Sequence, residues 1–295
     1  MKKVIIGNAT LYLGTMEETI GGIEHVDHIL TDPPYLYIKN HDFDKKFDEQ
    51  LFFENAKRLL PDNGFIALFG RGTSFYRWNT RLADMGFTFK EEIIWDKRFG
   101  SSPAHNISRV HETISLNTKK TGVIKKRKIP YIEQKEYELD GIINDINRIK
   151  SAINSEAGLN QIIDFLKTGF IKNGGTFKTH KVTVSVQKSC RDPASASLRF
   201  IRDGMREKTI MPIFPCHYGS VHPTEKPIRL AERLINLISD PGDTIYDPFM
   251  GSGSFGVACI NTGRKYIGSE IKPEYFKIAR KRIEQAVSEN CLWQT

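Results

Sequence analysis

Val26-Asp27-His28-Ile29-Leu30-Thr31-Asp32-Pro33-Pro34-Tyr35 decides how this chain is read. The stretch to Thr31 is mostly apolar and has the length of a buried strand. Two consecutive prolines then fix φ and remove two backbone donors, so the strand cannot continue. The result is a rigid elbow at a strand's carboxyl end, where open α/β sheets bind their ligands. Asp32 and the Pro33 carbonyl are hydrogen-bond acceptors there, and Tyr35 offers a flat face. These groups suit a planar ring bearing an exocyclic amino group, such as a nucleobase.

A second motif lies near the other end, Ile245-Tyr246-Asp247-Pro248-Phe249-Met250-Gly251-Ser252-Gly253-Ser254-Phe255-Gly256. Gly251, Gly253 and Gly256 fit G-x-G-x-x-G between a strand and an apolar helical run. Glu270 follows at the end of a second strand, Lys265 to Ser269. A tight turn, close backbone approach and an acid for ribose hydroxyls form the logic of a nucleotide site. The glycines alone would equally fit a nicotinamide enzyme. Asp247 shifts the reading, because a carboxylate can hold the cationic ammonium of S-adenosylmethionine, which a pyrophosphate lacks.

The sequence as a whole resembles the amino-group DNA methyltransferases that act on adenine N6 or cytosine N4. Asp32-Pro33-Pro34-Tyr35 is similar to their catalytic motif and Asp247 to Ser254 to their cofactor motif. The catalytic motif comes first and the cofactor motif last, as in the permuted β-type order. His222-Pro223-Thr224-Glu225-Lys226-Pro227 resembles the segment before the cofactor motif, and Ile93 to Lys97 a further family strand. The match spans roughly residues 1–117 and 212–295.

The resemblance implies an α/β fold: a Rossmann-like methyltransferase sheet with helices on both faces and an inserted, largely helical target-recognition region. Residues 1–117 and 212–295 would form the catalytic domain, and residues 118–211 the target-recognition region. It further implies that Asp32 and Pro33 accept the amino hydrogens of a flipped-out base, with Pro34 stiffening the elbow and Tyr35 stacking on the ring. Asp247, Phe249, Gly251, Ser252 and Gly253 would surround the methionine part of the cofactor. Glu270 would bind its ribose and Ile271 pack on its adenine. Thr224 and Lys226 would reach the cofactor carboxylate or a phosphate, although Lys226 before Pro227 reads equally well as a helix-start residue. Asp at the first catalytic position leans to adenine and Ser to cytosine N4, so adenine N6 is expected. Cytosine N4, RNA, a protein amide, or an inactive nucleic-acid-binding module are the alternatives.

Composition narrows the classes. At 295 residues with 39% hydrophobic content, one large domain or a domain with an insertion is expected. No apolar run has membrane-spanning length, and Met1-Lys2-Lys3 leads into a strand rather than a signal peptide. Cys190, Cys216, Cys259 and Cys291 are widely spaced, which reads as free thiols in a reducing cytoplasm. Pro215-Cys216 lacks the surroundings of a cytosine-C5 nucleophile, and the histidines show no metal-ligand spacing, so no metal is expected.

The net charge is +8. Residues 117–215 hold 19 Lys and Arg against 10 Asp and Glu, while the remainder holds 24 against 25. The excess charge therefore lies in the middle segment, the footprint of phosphate contacts with double-stranded DNA. Lys125-Lys126-Arg127-Lys128 is its densest run. A homodimer is compatible with the sequence, and restriction–modification is the implied setting.

Along the chain, residues 4–13 read as a strand pair turning at Gly7-Asn8, and Lys39 to Asp48 as a mobile loop near the site. Leu51 to Leu60 and residues 73–85 read as helices, with strands at 65–69 and 91–95. Ile142, Ile146, Ile149 and Ile153 form a helical seam, and a second helix over Leu159 to Phe170 would complete a hairpin with that seam packed inside. Lys181 to Val186 alternates as an edge strand.

Overall fold

A computed structural model describes residues 2–35, 46–98, 106–153, 193–215 and 225–292. In chain order the elements are β1 (Lys2–Ile6), β2 (Ala9–Leu13), α1 (Met16–Ile20), β3 (His28–Thr31), α2 (Glu49–Leu59), β4 (Phe65–Gly70), α3 (Gly72–Asp84), β5 (Thr88–Asp96) and β6 (His111–Thr118). They continue with β7 (Lys128–Ile129), α4 (Tyr131–Lys135), α5 (Leu139–Ile153), α6 (Pro193–Asp203), β8 (Met205–Arg206), β9 (Ile210–Pro212), α7 (Ile228–Ile238), β10 (Thr244–Asp247), α8 (Ser254–Asn261), β11 (Lys265–Glu270) and α9 (Pro273–Leu292).

Nine strands form one sheet in the order β1-β2-β11-β10-β3-β4-β6-β5-β9. Its centre is parallel: β2, β11, β10, β3 and β4 pair in succession in one direction. These strands are buried on both faces, and β3 and β4 show no exposed position at all. That explains their unbroken apolar runs, since helices cover both sides of a parallel sheet. One packed cluster joins α7, α8 and α9 to the sheet, and a second joins α1, α2 and α3 to it.

The chain is drawn together at β10 and β3. Ile245 pairs with His28 and Tyr246 with Ile29, so strands more than 200 residues apart lie side by side. From β10 the chain proceeds through α8 to β11 on one side, and from β3 through α2 to β4 on the other. The order reverses between them, which opens a crevice at their carboxyl ends. Both sequence motifs end on that crevice.

The expected hairpin at 4–13 is β1–β2, turning at Gly7 with φ +53°. The expected helices and strands between 51 and 95 are also present. β6 is an addition: it runs antiparallel between β4 and β5 and carries Glu112 to the carboxyl edge. Helix α1 is a further addition, held by a capping box in which Thr15 and Glu18 exchange hydrogen bonds.

Two compact units emerge, residues 1–125 with 208–295, and residues 126–207. These bounds are narrower than the expected 118–211. Thr118 still pairs with Phe65, Lys119 and Lys120 donate to Gly64 and Asp62, and Lys125 donates its amide to Leu237. Ile210 to Pro212 add a strand to β5. Within the second unit α4, α5 and α6 meet at Asp145, which accepts hydrogen bonds from Tyr131, Ser197 and Arg148 at 2.8–2.9 Å. Within the isoleucine seam Ile146 is 56% exposed, and among the described side chains of that helix the buried one is Asp145. The expected second helix and the strand at 181–186 lie outside the described residues.

Gly253 shows how closely the elements approach. Its φ is +81°, and a Cβ there would stand 2.8 Å from the Ala279 Cβ and 3.0 Å from its Cα on α9. Gly242 has a similar φ of +93° but open space around it. Gly253→Ala should therefore cost roughly 1–3 kcal/mol more stability than Gly242→Ala, because only the first adds overpacking to backbone strain. Equal losses in urea unfolding would show that α9 does not press on this turn.

Candidate active site

Three acids mark the carboxyl ends of three neighbouring parallel strands: Asp32 just past β3, Asp247 at the end of β10 and Glu270 at the end of β11. Each has a different environment.

Asp247 has no exposed surface. Its carboxyl group accepts from Thr31 Oγ1 at 2.8 Å, the Phe249 amide at 3.1 Å and Tyr266 Oη at 3.2 Å. A buried carboxyl with three donors is tied into the scaffold. Its oxygens face β3, β11 and the following turn. Burial pushes it up to about 7, against the opposing hydrogen bonds.

Glu270 is 8% exposed. One oxygen accepts from the Gly251 amide at 2.9 Å and the other from the Lys272 amide at 2.8 Å. These bonds fasten the glycine turn, with Gly251 at φ +54°, to the end of β11. About two of the carboxylate's four acceptor positions remain. Burial raises its pKa, offset by the backbone donors. Ile271 next to it is 54% exposed.

The remaining residues of the turn divide. Ser252 is buried, with its carbonyl and hydroxyl taken by Arg282 of α9 at 3.0 and 2.8 Å, so it faces inward. Arg282 also pairs with Glu225 at 2.7 Å. Phe249 is half-buried and meets Phe47 edge-on at 4.9 Å between ring centres.

At the elbow, the Tyr35 hydroxyl and the Lys226 ammonium both donate to the Asp32 carboxylate, one to each oxygen. Tyr35 lies 6.1 Å from Trp78 between ring centres, and its carbonyl accepts from Ser74. Lys226 is also 3.2 Å from Glu112 and stands over the Phe69 ring at 5.2 Å. Lys97 pairs with the other oxygen of Glu112 and stands over the Trp95 ring at 4.8 Å. Two carboxylates and two ammonium groups thus alternate across the edge, each close to neutralised by its neighbours. Lys226 is only 7% exposed, so removing one partner would strand buried charge, at a cost of about 3–5 kcal/mol.

The electrostatic directions follow. Lys226 is held cationic, with its pKa raised by Asp32 and Glu112. The two lysines hold Glu112 down at about 2, overcoming its burial. Asp32 moves upward, because burial and the Glu112 charge outweigh Lys226 and Tyr35. Burial and the Asp32 charge raise the Tyr35 phenol well above its ordinary value, so it remains a donor.

The structure brings together Asp32, Pro33, Pro34, Tyr35 and Lys226, and separately Asp247, Phe249, Gly251, Ser252, Gly253, Glu270 and Ile271 around the turn. Thr224 lies outside the described residues. Lys125 belongs to the sheet unit and pairs with Asp240, while Lys128 pairs with Asp203 at 3.5 Å. Glu112, Lys97 and Arg282 are additions, invisible in sequence because their partners come from distant strands. Among the described residues no helix could cross a membrane, and no group of three or more His, Cys, Asp or Glu could hold a metal ion.

Comparison with known proteins bears on this arrangement. A family profile described as DNA methylase matches residues 26–281. The type II methyltransferase M2.DpnII of Streptococcus pneumoniae is 28% identical over 282 residues, covering 88% of this chain and 83% of that protein. The DNA adenine methyltransferase YhdJ of Escherichia coli (strain K12) is 26% identical, covering 89% and 78%. Among solved structures, the M1.HpyAVI–SAM complex superposes with a TM-score of 0.56 at 22% identity, covering 93% of this chain and 99% of that one. The cytosine-N4-specific PvuII DNA methyltransferase superposes with a TM-score of 0.55 at 14% identity, covering 96% and 91%.

The Asp247 environment has a measurable consequence. Its folded value of about 7 lies above the ordinary 3.8, so the folded chain holds this proton more tightly between those values. Stability contributed by the protonated form is present at low pH and is lost as pH rises through 7. The stability of the parent minus that of Asp247→Asn should fall by roughly 4 kcal/mol between about pH 4 and pH 8. A constant difference in urea unfolding would mean that the carboxyl ionises as freely as in the unfolded chain.

Proposed function

The chain belongs to the N6/N4 DNA methylase family, and from that premise we propose that it transfers a methyl group from S-adenosylmethionine to the exocyclic N6 of adenine in duplex DNA. The observation that carries the reading is the Asp32-Pro33-Pro34-Tyr35 elbow beside the glycine turn, on the two sides of the β3–β10 crevice. The fold leaves the base open, since a cytosine-N4 enzyme shares it. Asp32 at the first catalytic position and the adenine specificity in the name of a 26% identical relative favour adenine.

The turn and the strand ends fit the cofactor. Glu270 has acceptor positions left for ribose hydroxyls, Ile271 offers an exposed apolar face, and acids rather than phosphate donors end the neighbouring strands. When bound, S-adenosylmethionine supplies an electrophilic methyl group on a sulfonium. Asp247 serves from beneath by fixing the start of the turn, and Arg282 by holding Ser252.

An exocyclic amino nitrogen is a poor nucleophile because its lone pair is delocalised into the ring. Asp32 and the Pro33 carbonyl accept its two hydrogens and favour a pyramidal nitrogen with a localised lone pair. That lone pair forms the new N–C bond, the C–S pair stays on sulfur, and one amino proton leaves towards the Asp32 carboxylate. Tyr35 steadies that carboxylate and presents its ring to the base. Positioning and electrostatics do the catalysis, with no covalent enzyme intermediate. Reaching the elbow requires the base to leave the duplex.

Residues 126–207 are assigned to target recognition on their surplus positive charge and separate folding unit. A cytoplasmic setting and a role in restriction–modification complete the reading, in keeping with relatives named type II methyltransferases.

Incubation with duplex DNA and S-adenosylmethionine, followed by nucleoside mass spectrometry, should yield N6-methyladenine. N4-methylcytosine would overturn the base assignment alone, and no methylated base would overturn the activity. Asp32→Ala should lower transfer at least about 1,000-fold while cofactor affinity is kept; Lys226 retains Glu112 as its partner in that variant.

A further inference from the structure

Glu112 has an unusual place beside Asp32. One of its oxygens is taken by Lys97. The other, Oε2, is buried and pairs with Lys226 at 3.2 Å, the longer and less well aligned of that ammonium's two carboxylate contacts. The closer contact is to Asp32. A buried carboxylate oxygen whose ammonium partner is shared with Asp32 is incompletely satisfied, and that ammonium has three hydrogens, so Oε2 marks a second seat for it. The two seats lie on different strand ends, past β3 and on β6, and the lysine comes from the segment before α7.

Asp32 has a corresponding problem. Tyr35 occupies one of its oxygens and Lys226 the other. A carboxylate so paired is a weaker acceptor for an amino hydrogen, and a weaker base for the departing proton, than the same carboxylate without Lys226. Its acceptor strength recovers when the ammonium moves away, but an ammonium only 7% exposed cannot move into water. It needs a buried anion to move to.

We propose that Glu112 is a positioning residue for methyl transfer, taking the Lys226 ammonium fully onto Oε2 when the target amino group engages Asp32. Lys97 keeps Glu112 in place and charged throughout. The exchange moves one ammonium between two carboxylates and leaves the net charge of the cluster unchanged. No bond is made or broken in it; the transfer is the one already described, and the inference rests on that reading.

Among the described residues, the groups facing Asp32 are Tyr35 from its own elbow, Lys226, Glu112 with Lys97 behind it, and Asp247 beneath on β10; Arg71 acts on Tyr35. Of these, Glu112 raises the pKa of Asp32 and Lys226 lowers it. Removing the Glu112 charge therefore lowers the pH at which Asp32 ionises, and at the same time holds Lys226 on Asp32.

The test is single-turnover methyl transfer by the full chain on duplex DNA, with S-adenosylmethionine binding measured alongside. Glu112→Gln should slow transfer roughly 10- to 100-fold, with cofactor affinity within about twofold. The acid limb of its pH–rate profile should move to lower pH, whereas a merely structural loss would leave that limb in place. Glu112→Asp, which keeps a carboxylate, should recover part of the rate. Should Glu112→Gln fold poorly, the pair Glu112→Gln with Lys97→Met removes one charge of each sign and should show the same slow transfer. A folded variant with the parent rate, or with an unmoved acid limb, overturns the inference while the activity stands. A parent chain that methylates no DNA overturns both.

Discussion

Everything at this site depends on the pairing of β3 with β10. Only a few backbone registers join them, Ile245 with His28 and Tyr246 with Ile29. Asp247 closes the seam by accepting a hydrogen bond from Thr31 on β3 and another from Tyr266 on β11. Three adjacent strands thus end in register around one buried carboxyl. The elbow proposed to receive the base begins one residue after Thr31, and the turn proposed to receive the cofactor begins one residue after Asp247. A shift of either strand would separate the reacting groups, and a misplacement of about 1 Å can cost on the order of 100-fold in rate.

Above that seam the edge is governed by charge. Asp32, Lys226, Glu112 and Lys97 are contributed by four separate parts of the chain, and each ammonium stands on an aromatic ring. Exposed ion pairs contribute little to stability, but these are largely shielded, so their geometry is fixed by the cost of leaving any member alone. Arg282 links the same segment to the cofactor turn, holding Glu225 and Ser252 together. The residue after Glu225 is Lys226, so the turn and the elbow share a mechanical connection.

The legible part of the molecule was the part whose signal is local. Asp32-Pro33-Pro34-Tyr35 and the glycine turn carry their conformations in proline and glycine, and β3 and β4 announce burial through unbroken apolar runs. Glu270 could be placed by spacing, and it does end β11. Less could be read where a residue's role depends on a distant neighbour. The bonds that Asp247 accepts from Thr31 and Tyr266 could not be read, because neither residue can be seen beside it in sequence. Glu112 carried no signal at all, since β6 enters the sheet antiparallel between β4 and β5 and breaks the strand–helix alternation. The basic run Lys125 to Lys128 likewise looked continuous, yet it crosses a unit boundary and two of its members face acids.

The central claim is that one crevice, between β3 and β10, holds both the methyl donor and the acceptor elbow. A crystal structure of the chain with S-adenosylhomocysteine bound tests it most directly. The account predicts the ligand in that crevice, its ribose on Glu270, its adenine against Ile271 and its sulfur turned towards Asp32. A ligand seated elsewhere, or one in the crevice with its sulfur turned away from Asp32, would contradict it.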